Sequence, residues 1–474
     1  MVGFVSEPVL REMLQRDPGI PKTRAILEIE HGPLEGMDEH TSTLPDLRDF
    51  VVIGSGITGC SVAHSLLNHP AFQDKTVAVL EARELASGAT GYTESAILPI
   101  APIAVGEERG QALTPGQLQE AATAAVAFKN VETITNILNY RIYVEWLINK
   151  STMDMHFHTP GGLWTLYSPE EAKRDYRLLE TEGVCVSPGA TLRPRYLVLA
   201  LFKEMMRRWP SRCMLQTHTA VTDVCHTPQG GDHPYVVTTR RGSIRAASVI
   251  ICINGWTSHL IPSLRGKILP QRACLHQLRA PRVDTTSGTR NHALDYLVQH
   301  PAAGFTLSGG SQKCRDVYTS DDTQERKNDI EQLWDVLPSV FNRDGDSCPF
   351  VSNEGRTRFG IAGITTDKHP FVGCLNWNWK YIPTQIYMKT GYVDHEHTVP
   401  TARHVGRTLK QLQYPHIGVW VAAGCNRTGL NKCWLMGEAL VGMIASEDVT
   451  DRIPDAYLAT IERFRNMGSC NIRL

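Results

Sequence analysis

A glycine-rich hexapeptide, Gly54-Ser55-Gly56-Ile57-Thr58-Gly59, limits the folds open to this chain more than any other segment. It follows a short apolar run, residues 49–53, which predicts a buried β-strand. It precedes a helical pattern over residues 57–68, and a second apolar run, residues 76–80, ends at Glu81. We therefore predict a strand, a tight turn, a helix and a second strand, which together make a βαβ unit of about 35 residues.

Each glycine of the hexapeptide has its own physical role in a dinucleotide-binding turn. Gly54 permits the tight turn, the missing Cβ of Gly56 lets a pyrophosphate approach the backbone, and Gly59 lets the helix pack closely on the strand. The helix N-terminus offers N–H groups and partial positive charge to the phosphates. Glu81, 22 residues beyond Gly59, is placed to bind ribose hydroxyls. The hexapeptide alone also fits an ordinary glycine-rich turn, and it does not distinguish NAD from FAD.

The residues after Glu81 favour FAD. The run Ser87-Gly88-Ala89-Thr90-Gly91 resembles the segment after the second strand in the D-amino-acid-oxidase-like family of flavoproteins, which includes glycine oxidase and sarcosine oxidase. The resemblance extends over about residues 45–446, and the opening segments look most like those of fungal-type members. Five further segments resemble the family in the expected order: residues 192–197, 219–224, 249–257, 363–373 and 418–429.

The resemblance implies an α/β fold with two parts. The first is a Rossmann-like FAD-binding domain of the glutathione-reductase-like two-dinucleotide type, and the second is a substrate domain built on an antiparallel sheet. A helical pattern also covers residues 114–150, within the second part. The predicted divisions are an N-terminal arm at 1–47, a discontinuous FAD-binding domain at 48–110, 190–265 and 355–446, a substrate domain at 111–189 and 266–354, and a C-terminal tail at 447–474.

The resemblance assigns FAD as the cofactor and places its ligands in the glycine-rich turn, the segment after Glu81 and several strand ends. Relatives of the sarcosine oxidase type hold flavin covalently through a cysteine that lies seven residues before the aspartate of a Thr-x-Asp segment. Gly360 takes that position relative to Asp367, so we predict non-covalent FAD. The predicted FAD-binding residues are Gly54, Ser55, Gly56, Ile57, Thr58, Gly59, Glu81, Ala82, Arg83, Ser87, Gly88, Ala89, Thr90, Gly91, Thr93, Val221, Asn254, Gly255, Trp256, Gly424, Asn426, Arg427, Thr428 and Gly429.

Two segments that the resemblance places near the flavin ring depart from the family's pattern. Residues 92–96 read Tyr-Thr-Glu-Ser-Ala where many relatives have Arg-Asn-Gly-Gly-His, and Arg427 and Thr428 stand where Gly and His are usual. Arg427 either stabilises negative charge on the flavin or points to solvent and pairs with an acid. Residues 375–416 are long for a connector, and they form either a substrate lid or a surface insertion.

The resemblance implies oxidation of a C–H bond next to an amine nitrogen, with hydride transfer to flavin N5 and reoxidation by O2 to hydrogen peroxide. The implied substrate is a small amine or amino-acid-like molecule, and a substrate carboxylate would call for an arginine fork. The candidate catalytic residues are Arg272, Arg358 and Arg427, with Arg356, His276 and Tyr296 as weaker candidates. A surface ion pair is the alternative for each arginine, and core or rim packing is the alternative for His276 and Tyr296.

Two other functions fit the same sequence. One is a secondary-metabolism tailoring oxidase that desaturates or cyclises a larger substrate, which the altered loops favour. The other is a flavin-binding protein without catalysis, against which the intact phosphate-binding features argue.

Composition argues against several other classes of protein. The formal net charge of the 474 residues is -1, which is unlike a nucleic-acid binder. The 12 cysteines form no C-x-x-C pair, so we predict no metal site. The sequence contains no stretch of about 20 apolar residues, so we predict no membrane span. The scattered cysteines and the charged residues near the start predict a cytoplasmic enzyme. Residues 472–474 resemble a peroxisomal tripeptide only faintly, because Ile472 replaces a small residue.

Overall fold

The protein is described from a computed structural model, and its residues fall into two compact units. The parallel-sheet unit comprises Ser6–Gly91, Arg195–Gln271 and Ala362–Leu474, and the antiparallel-sheet unit comprises Met1–Val5, Tyr92–Pro194 and Arg272–Ile361. The structure describes residues 15–22, 41–92, 96–97, 145–151, 165–176, 184–191, 194–278, 288–290, 295–300, 304–309, 318–323, 355–367, 369–375, 416–426, 429–449 and 452–467.

Both units contain strands and helices. In chain order the strands are β1 (Leu47–Ile53), β2 (Val77–Leu80), β3 (Ala96–Ile97), β4 (Glu145–Ser151), β5 (Thr165–Tyr167), β6 (Val184–Thr191), β7 (Cys213–Gln216), β8 (Val221–His226), β9 (Tyr235–Thr239), β10 (Gly242–Ile251), β11 (Ile268–Leu278), β12 (Gly288–Arg290), β13 (Asp295–His300), β14 (Gly304–Gly309), β15 (Gly355–Thr365), β16 (Phe371–Cys374) and β17 (Gly418–Ala423). The α-helices are α1 (Ile57–Asn68), α2 (Pro169–Tyr176), α3 (Pro194–Arg208), α4 (Thr257–Leu260), α5 (Cys433–Ile444) and α6 (Ile461–Asn466).

A mixed sheet forms the centre of the parallel-sheet unit. Strands β17, β10, β1, β2 and β7 lie side by side in that order and run parallel. Strand β16 pairs antiparallel with β17, and the β8–β9 hairpin pairs antiparallel with β10. Phe50, Val51 and Val52 of β1 are all fully buried, as expected for a strand covered on both faces. The Rossmann-like part of the predicted fold is confirmed.

The first βαβ unit has the predicted elements. Strand β1 leads through the glycine-rich turn into α1, whose bounds are those predicted, and β2 lies parallel to β1. Helix α1 packs on α5, where the Ser61 hydroxyl donates to the Trp434 carbonyl over 2.6 Å. A side chain at Gly437 would overlap Ser61, so the glycine lets the two helices approach closely. The two helices at this contact follow β1 and β17, respectively.

The second sheet belongs to the antiparallel-sheet unit. Among the described residues it has nine strands, in the order β15-β11-β14-β13-β12-β4-β6-β3, with β5 also pairing with β6. Neighbours are antiparallel along β11, β14, β13 and β12, whereas β12 and β4 run parallel. This sheet confirms the second part of the predicted fold class.

One predicted helix is wrong at its end. The helical pattern extends to about residue 150, but Glu145–Ser151 is strand β4, which pairs antiparallel with β6 over its whole length. Trp146 and Ile148 favour strands, and pairing with a distant strand outweighs the local periodicity. The rest of that prediction, residues 114–144, lies outside the described residues. Helix α2 begins at a reciprocal capping box, which Ser168 and Glu171 form.

The described parts of the predicted arm and tail make specific contacts in the parallel-sheet unit. Asp17 accepts from His259 over 2.9 Å and also pairs with Arg265. Near the other end, the Ala459 N–H donates to the Val372 carbonyl over 2.8 Å. No helix in the described ranges is both long enough and apolar enough to cross a membrane.

Candidate functional site

The turn between β1 and α1 is tightly enclosed by backbone. Gly54 has a φ of +100°, and a Cβ there would lie 2.7 Å from the Cys252 carbonyl oxygen. A Cβ at Gly59 would overlap the Gly54 carbonyl oxygen. Both positions therefore require glycine, and the structure gives them the roles that the sequence predicted.

The N-terminus of α1 lies beside the hydroxyl of Thr90. Gly56 caps the helix without a side chain, and a Cβ at this position would lie 3.1 Å from Thr90 Oγ1. The Ile57 N–H donates to the same oxygen over 3.0 Å. The segment after β2 thus returns to the start of α1. No side chain of Gly56 fills the space in front of the helix, which is what a bound pyrophosphate needs.

Glu81 joins the glycine-rich turn to the segment after β2. Its Oε2 accepts from the Ser55 N–H over 2.9 Å and from the Ser55 hydroxyl over 2.6 Å. Its Oε1 accepts from the Arg83 N–H over 3.0 Å, and the Ala86 N–H donates to the Ser55 hydroxyl over 2.9 Å. A carboxylate has about four acceptor sites, so these three donors leave capacity for a ribose hydroxyl. The cross-link itself was not predicted from the sequence.

Two buried polar atoms near this turn lack a hydrogen-bond partner within the described residues. They are the Ser87 hydroxyl oxygen and the Trp256 indole nitrogen, and both residues are predicted to bind FAD. Buried polar atoms in folded proteins are almost always hydrogen-bonded, so each such atom calls for an explanation. A bound molecule with polar groups supplies one, and the residues present therefore fit FAD.

Arg83 lies next to one of these residues. Its side chain is only 4% exposed, and its guanidinium carbon lies 5.5 Å from the centre of the Trp256 ring. The contact is a cation–π interaction that fixes the ring at the end of β10. Gly91 closes the segment, because a Cβ there would lie 2.8 Å from the Ala86 carbonyl oxygen.

The loop after β17 is bonded to the ends of β10 and β15. Asn254 Oδ1 accepts from the N–H groups of Gly424 and Cys425 over 3.1 and 3.2 Å. Asn426 Oδ1 accepts from the Thr365 N–H over 2.8 Å, and its Nδ2 donates to the Thr365 hydroxyl over 2.9 Å. Gly424, Asn254 and Asn426 all have positive φ values, of 73°, 46° and 52°. The loop therefore follows the carboxyl ends of β17 and β10, the side on which open α/β sheets bind ligands.

The other predicted FAD-binding positions divide into described and undescribed ones. Val221 begins β8 and is buried, and Gly255 lies buried in the turn after β10. Ala82, Gly88 and Ala89 lie in the segment between Glu81 and Gly91, while Gly429 follows the β17 loop. Three positions lie outside the described residues: Thr93, Arg427 and Thr428. Both interpretations of Arg427 stay predictions, as do those for residues 376–415.

The candidate catalytic arginines are in different settings. Arg272 is only 5% exposed, on β11 of the antiparallel-sheet unit, and its guanidinium carbon lies 5.3 Å from the centre of the Phe359 ring. Its side chain is therefore buried. Arg358, on β15, is half-buried. The side chains of the weaker candidates lie outside the described part of the structure: Arg356, His276 and Tyr296.

Gly360 has no room for a side chain beside Tyr92. A Cβ at Gly360 would lie 2.9 Å from the Cβ of Tyr92. This is the position at which relatives of the sarcosine oxidase type carry the flavin-linking cysteine. Tyr92 therefore occupies space that such a side chain would need.

The sequence did not predict the ion pair that Asp367 forms with Arg463. Arg463 donates to both carboxylate oxygens of Asp367, over 2.7 and 3.1 Å, and also to the carbonyls of Pro370 and His369. Burial raises the pKa of Asp367, but hydrogen bonding to Arg463 and its charge bring the pKa below the ordinary value. The two residues are far apart in sequence, so no local pattern indicates the pair.

Three thiols also gather at the loop after β17: Cys252, Cys425 and Cys433. Cys425 and Cys433 have their sulfur atoms 3.2 Å apart, and Cys252 couples electrostatically to both. The scattered cysteine spacing gave no signal of this cluster. Within the described residues, no group of three or more His, Cys, Asp or Glu side chains is arranged to hold a metal ion.

Comparison with known proteins agrees with this geometry. The family profile described as FAD dependent oxidoreductase matches residues 49–443. Glycine oxidase from Geobacillus kaustophilus has a similar structure, with a TM-score of 0.58 and 18% identity, over 85% of this chain and 96% of that one. L-proline dehydrogenase from P. horikoshii matches with a TM-score of 0.57 and 16% identity, over 89% of this chain and 99% of that one.

A third similar structure is NikD, described as an unusual amino acid oxidase essential for nikkomycin biosynthesis. It matches with a TM-score of 0.57 and 15% identity, over 86% of this chain and 98% of that one. At such identities the likeness establishes the fold alone. No curated protein sequence matches the chain.

Proposed function

This chain belongs to the family of FAD-dependent oxidoreductases, and from that premise we propose that it oxidises a C–H bond next to the nitrogen of an amine or amino-acid-like substrate. FAD, when bound, supplies the hydride acceptor, and the protein supplies binding, orientation and exclusion of water. The observation that carries the proposal is the enclosed turn at Gly54–Gly59 together with the two partnerless buried atoms of Ser87 and Trp256.

The residues of the parallel-sheet unit divide the binding of FAD among them. We assign the pyrophosphate to the turn at Gly54–Gly59 and the N-terminus of α1, beside the Thr90 hydroxyl. We assign the ribose to Glu81, whose carboxylate is already fixed by Ser55 and Arg83. The crowding between Gly360 and Tyr92 supports non-covalent binding.

The proposed substrate class rests on the structural neighbours and on Arg272. Glycine oxidase, L-proline dehydrogenase and the amino acid oxidase NikD share the fold, and the names of all three refer to amino acids. Arg272 offers a planar guanidinium in a buried position, where an ion pair with a carboxylate is stronger than in water. We propose Arg272 as the carboxylate-binding residue, with Arg358 as the second candidate.

Two finer features of the reaction are also proposals. We propose O2 as the electron acceptor, giving hydrogen peroxide, which the oxidases among the neighbours support and the dehydrogenase does not. The second candidate function is a tailoring oxidase of secondary metabolism. NikD, with its role in nikkomycin biosynthesis, favours it, as do the unusual residues Thr93 and Arg427.

We also propose that the chain is a fungal-type member of the family and that it acts in the cytoplasm. The opening segments support the fungal type, and the scattered cysteines support a reducing compartment such as the cytoplasm. Loss of catalysis is disfavoured by the intact glycine-rich turn.

A spectroscopic experiment tests the proposed function. We expect purified protein to show flavin absorption and to release FAD on acid precipitation. A panel of D-amino acids, N-methyl amino acids and cyclic amines is then added without oxygen, and we expect at least one to bleach the flavin band. Admitting air should restore the band and yield peroxide. Flavin that no amine or amino acid in the panel reduces would contradict the proposed reaction, while bleaching without peroxide would contradict O2 as acceptor.

A matched variant tests the role of Arg272. We expect Arg272→Lys to raise the KM for a carboxylate substrate by about tenfold or more, because lysine loses the bidentate fork. The same variant should change the KM for an amine without a carboxylate much less. An equal change for both substrates would show that Arg272 only supports the fold.

A further inference from the structure

The three thiols beside the loop after β17 are all buried in the parallel-sheet unit. Cys252 follows β10, Cys425 follows β17, and Cys433 is the first residue of α5. The side chains of Cys425 and Cys433 are 4% and 5% exposed, and their sulfur atoms lie 3.2 Å apart. The pair is thus held in contact by two different elements, at the edge of the sheet where the candidate site lies.

Gly429 makes room for this contact. A Cβ at Gly429 would lie 3.1 Å from the Cys433 sulfur and 3.3 Å from the Cys425 Cβ. Any larger residue would therefore enter the space between the two cysteines. The backbone of Cys425 is also fixed, because its N–H donates to Asn254 Oδ1. The close approach of the two sulfurs is a property of the fold and not of a freely moving loop end.

The surroundings make the two thiols unequal. The hydrogen bond with Cys425 lowers the pKa of Cys433, and so do the Thr58 hydroxyl and the Lys432 ammonium group, whereas burial opposes them. The position at the start of a 12-residue helix also favours a thiolate. The hydrogen bond with Cys433 raises the pKa of Cys425, and burial acts in the same direction. Cys433 is therefore suited to attack an oxidant and Cys425 to resolve the product.

We propose that Cys425 and Cys433 form a reversible disulfide, which makes this pair a redox-modification site at the base of the loop after β17. The oxidant is a small hydroperoxide, and the reductant is a dithiol. The disulfide would close a covalent ring that contains Arg427 and Thr428, two of the residues that depart from the family's pattern. The proposal does not depend on the proposed amine oxidation.

The oxidation balances in two steps. The Cys433 thiolate attacks one oxygen of hydrogen peroxide, so that an S–O bond forms, the O–O bond breaks, and the departing hydroxide takes a proton to become water. The Cys425 sulfur then attacks the sulfenic sulfur, forming the S–S bond and breaking the S–O bond, and the second water leaves with the Cys425 proton. Two thiols and one peroxide thus give one disulfide and two waters. A dithiol reverses the change by exchange.

Peptide mapping of the full-length FAD-loaded protein tests the site. The folded protein is treated with hydrogen peroxide, its remaining thiols are alkylated under denaturing conditions, and its peptides are identified by mass spectrometry. We expect a cross-linked peptide containing Cys425 and Cys433, lighter by two hydrogen atoms, which a dithiol removes. Complete alkylation of both residues after peroxide treatment would overturn the proposal, as would a main cross-link through Cys252.

The chain contains an internal control pair. Cys60 and Cys213 are also buried and interact electrostatically, but burial raises the pKa of both thiols, that of Cys213 to about 12. We expect the Cys425–Cys433 cross-link to exceed a Cys60–Cys213 cross-link by about tenfold or more, because only the first pair includes a stabilised thiolate. Equal yields of the two cross-links would overturn the assigned chemistry.

Variants complete the test. Cys425→Ser and Cys433→Ser should each abolish the cross-link, and Cys425→Ser should leave Cys433 as a sulfenic acid that dimedone labels. Cys213→Ser should leave the cross-link unchanged. If a variant does not fold, the wild-type peptide map still decides the question. The assay measures thiols only, so a protein that oxidises no amine can still support the proposal, and an active amine oxidase can still contradict it.

Discussion

Glu81, which we propose as the ribose ligand, also holds the fold together. Its carboxylate holds the Ser55 backbone and hydroxyl and the Arg83 backbone, which fixes the glycine-rich turn against the segment after β2. Family resemblance assigns Glu81 to the ribose, and the structure adds a structural role. Gly54, Gly59 and Gly91 act similarly, because each keeps two backbone segments in contact that a Cβ would separate.

The first prediction concerns Glu81→Gln. The amide has one acceptor oxygen and a donor NH2 group, so one protein N–H that now meets a carboxylate oxygen would face a donor. We expect the free energy of unfolding to fall by about 1–3 kcal/mol and FAD binding to weaken. Thermal unfolding and FAD titration measure the two effects. Glu84→Gln, on the same segment, is the control and should change both quantities little. Equal effects of the two variants would contradict the special role of Glu81.

The second prediction concerns Gly59→Ala. The added Cβ would overlap the Gly54 carbonyl oxygen, so the backbone of the turn has to shift. We expect a loss of about 1–3 kcal/mol in stability, together with loss of FAD from the purified protein. In Gly88→Ala the new Cβ meets only an Arg83 nitrogen at 4.0 Å, and stability should change by less than about 0.5 kcal/mol. Denaturant unfolding compares the two, and a Gly59→Ala protein as stable as wild type would refute the steric argument.

At the scale of elements, the C-terminal helix α6 is attached through an ion pair and several hydrogen bonds. Arg463 lies in α6, and its guanidinium donates to Asp367 and to carbonyls in the segment that leads into β16. Strand β16 also bonds through Val372 to Ala459, just before α6. The described part of residues 447–474 is therefore hydrogen-bonded to β16 and to the segment that leads into it.

The third prediction tests this attachment. We expect Asp367→Asn to lower the free energy of unfolding by about 2–4 kcal/mol, because it leaves the half-buried Arg463 without its counter-charge. Glu462→Gln, on the exposed side of the same helix, should cost less than about 0.5 kcal/mol. Denaturant unfolding measures both variants. If both variants lost a similar amount of unfolding free energy, the ion pair of Asp367 with Arg463 would make no specific contribution to stability.

The fourth prediction follows from the low pKa of Asp367. Because the folded-state pKa lies below the ordinary value of 3.8, the carboxylate stabilises the fold at pH values above the unfolded-state pKa. That contribution falls as the pH drops from about 4 through the folded-state pKa. The stability difference between wild type and Asp367→Asn should therefore be constant from about pH 5 to 7 and shrink below about pH 4. Unfolding curves across this pH range measure the stability difference. A difference that grows on acidification would contradict a lowered folded-state pKa for Asp367.

At the scale of the whole molecule, the sequence predicted the secondary-structure elements that depend on short-range patterns. The elements β1, α1 and β2 follow from apolar runs and a glycine turn, and the structure confirms them. Strand β4 was predicted as the end of a helix because its pairing with β6 is invisible in local periodicity. The bond between Asn254 and Gly424 spans 170 residues, and the contact of Cys425 with Cys433 depends on how a loop returns to α5. Such features require the folded chain.

Titration with FAD tests the central claim, which is that the turn after β1 binds the pyrophosphate of FAD. Folded protein stripped of flavin is titrated with FAD in a calorimeter, and the Gly59→Ala protein and an NAD titration serve as controls. The account predicts saturation at about one FAD per chain, weaker or no binding by Gly59→Ala, and little heat from NAD. Folded wild-type protein that takes up no FAD, or that binds it equally well with alanine at position 59, would contradict the account.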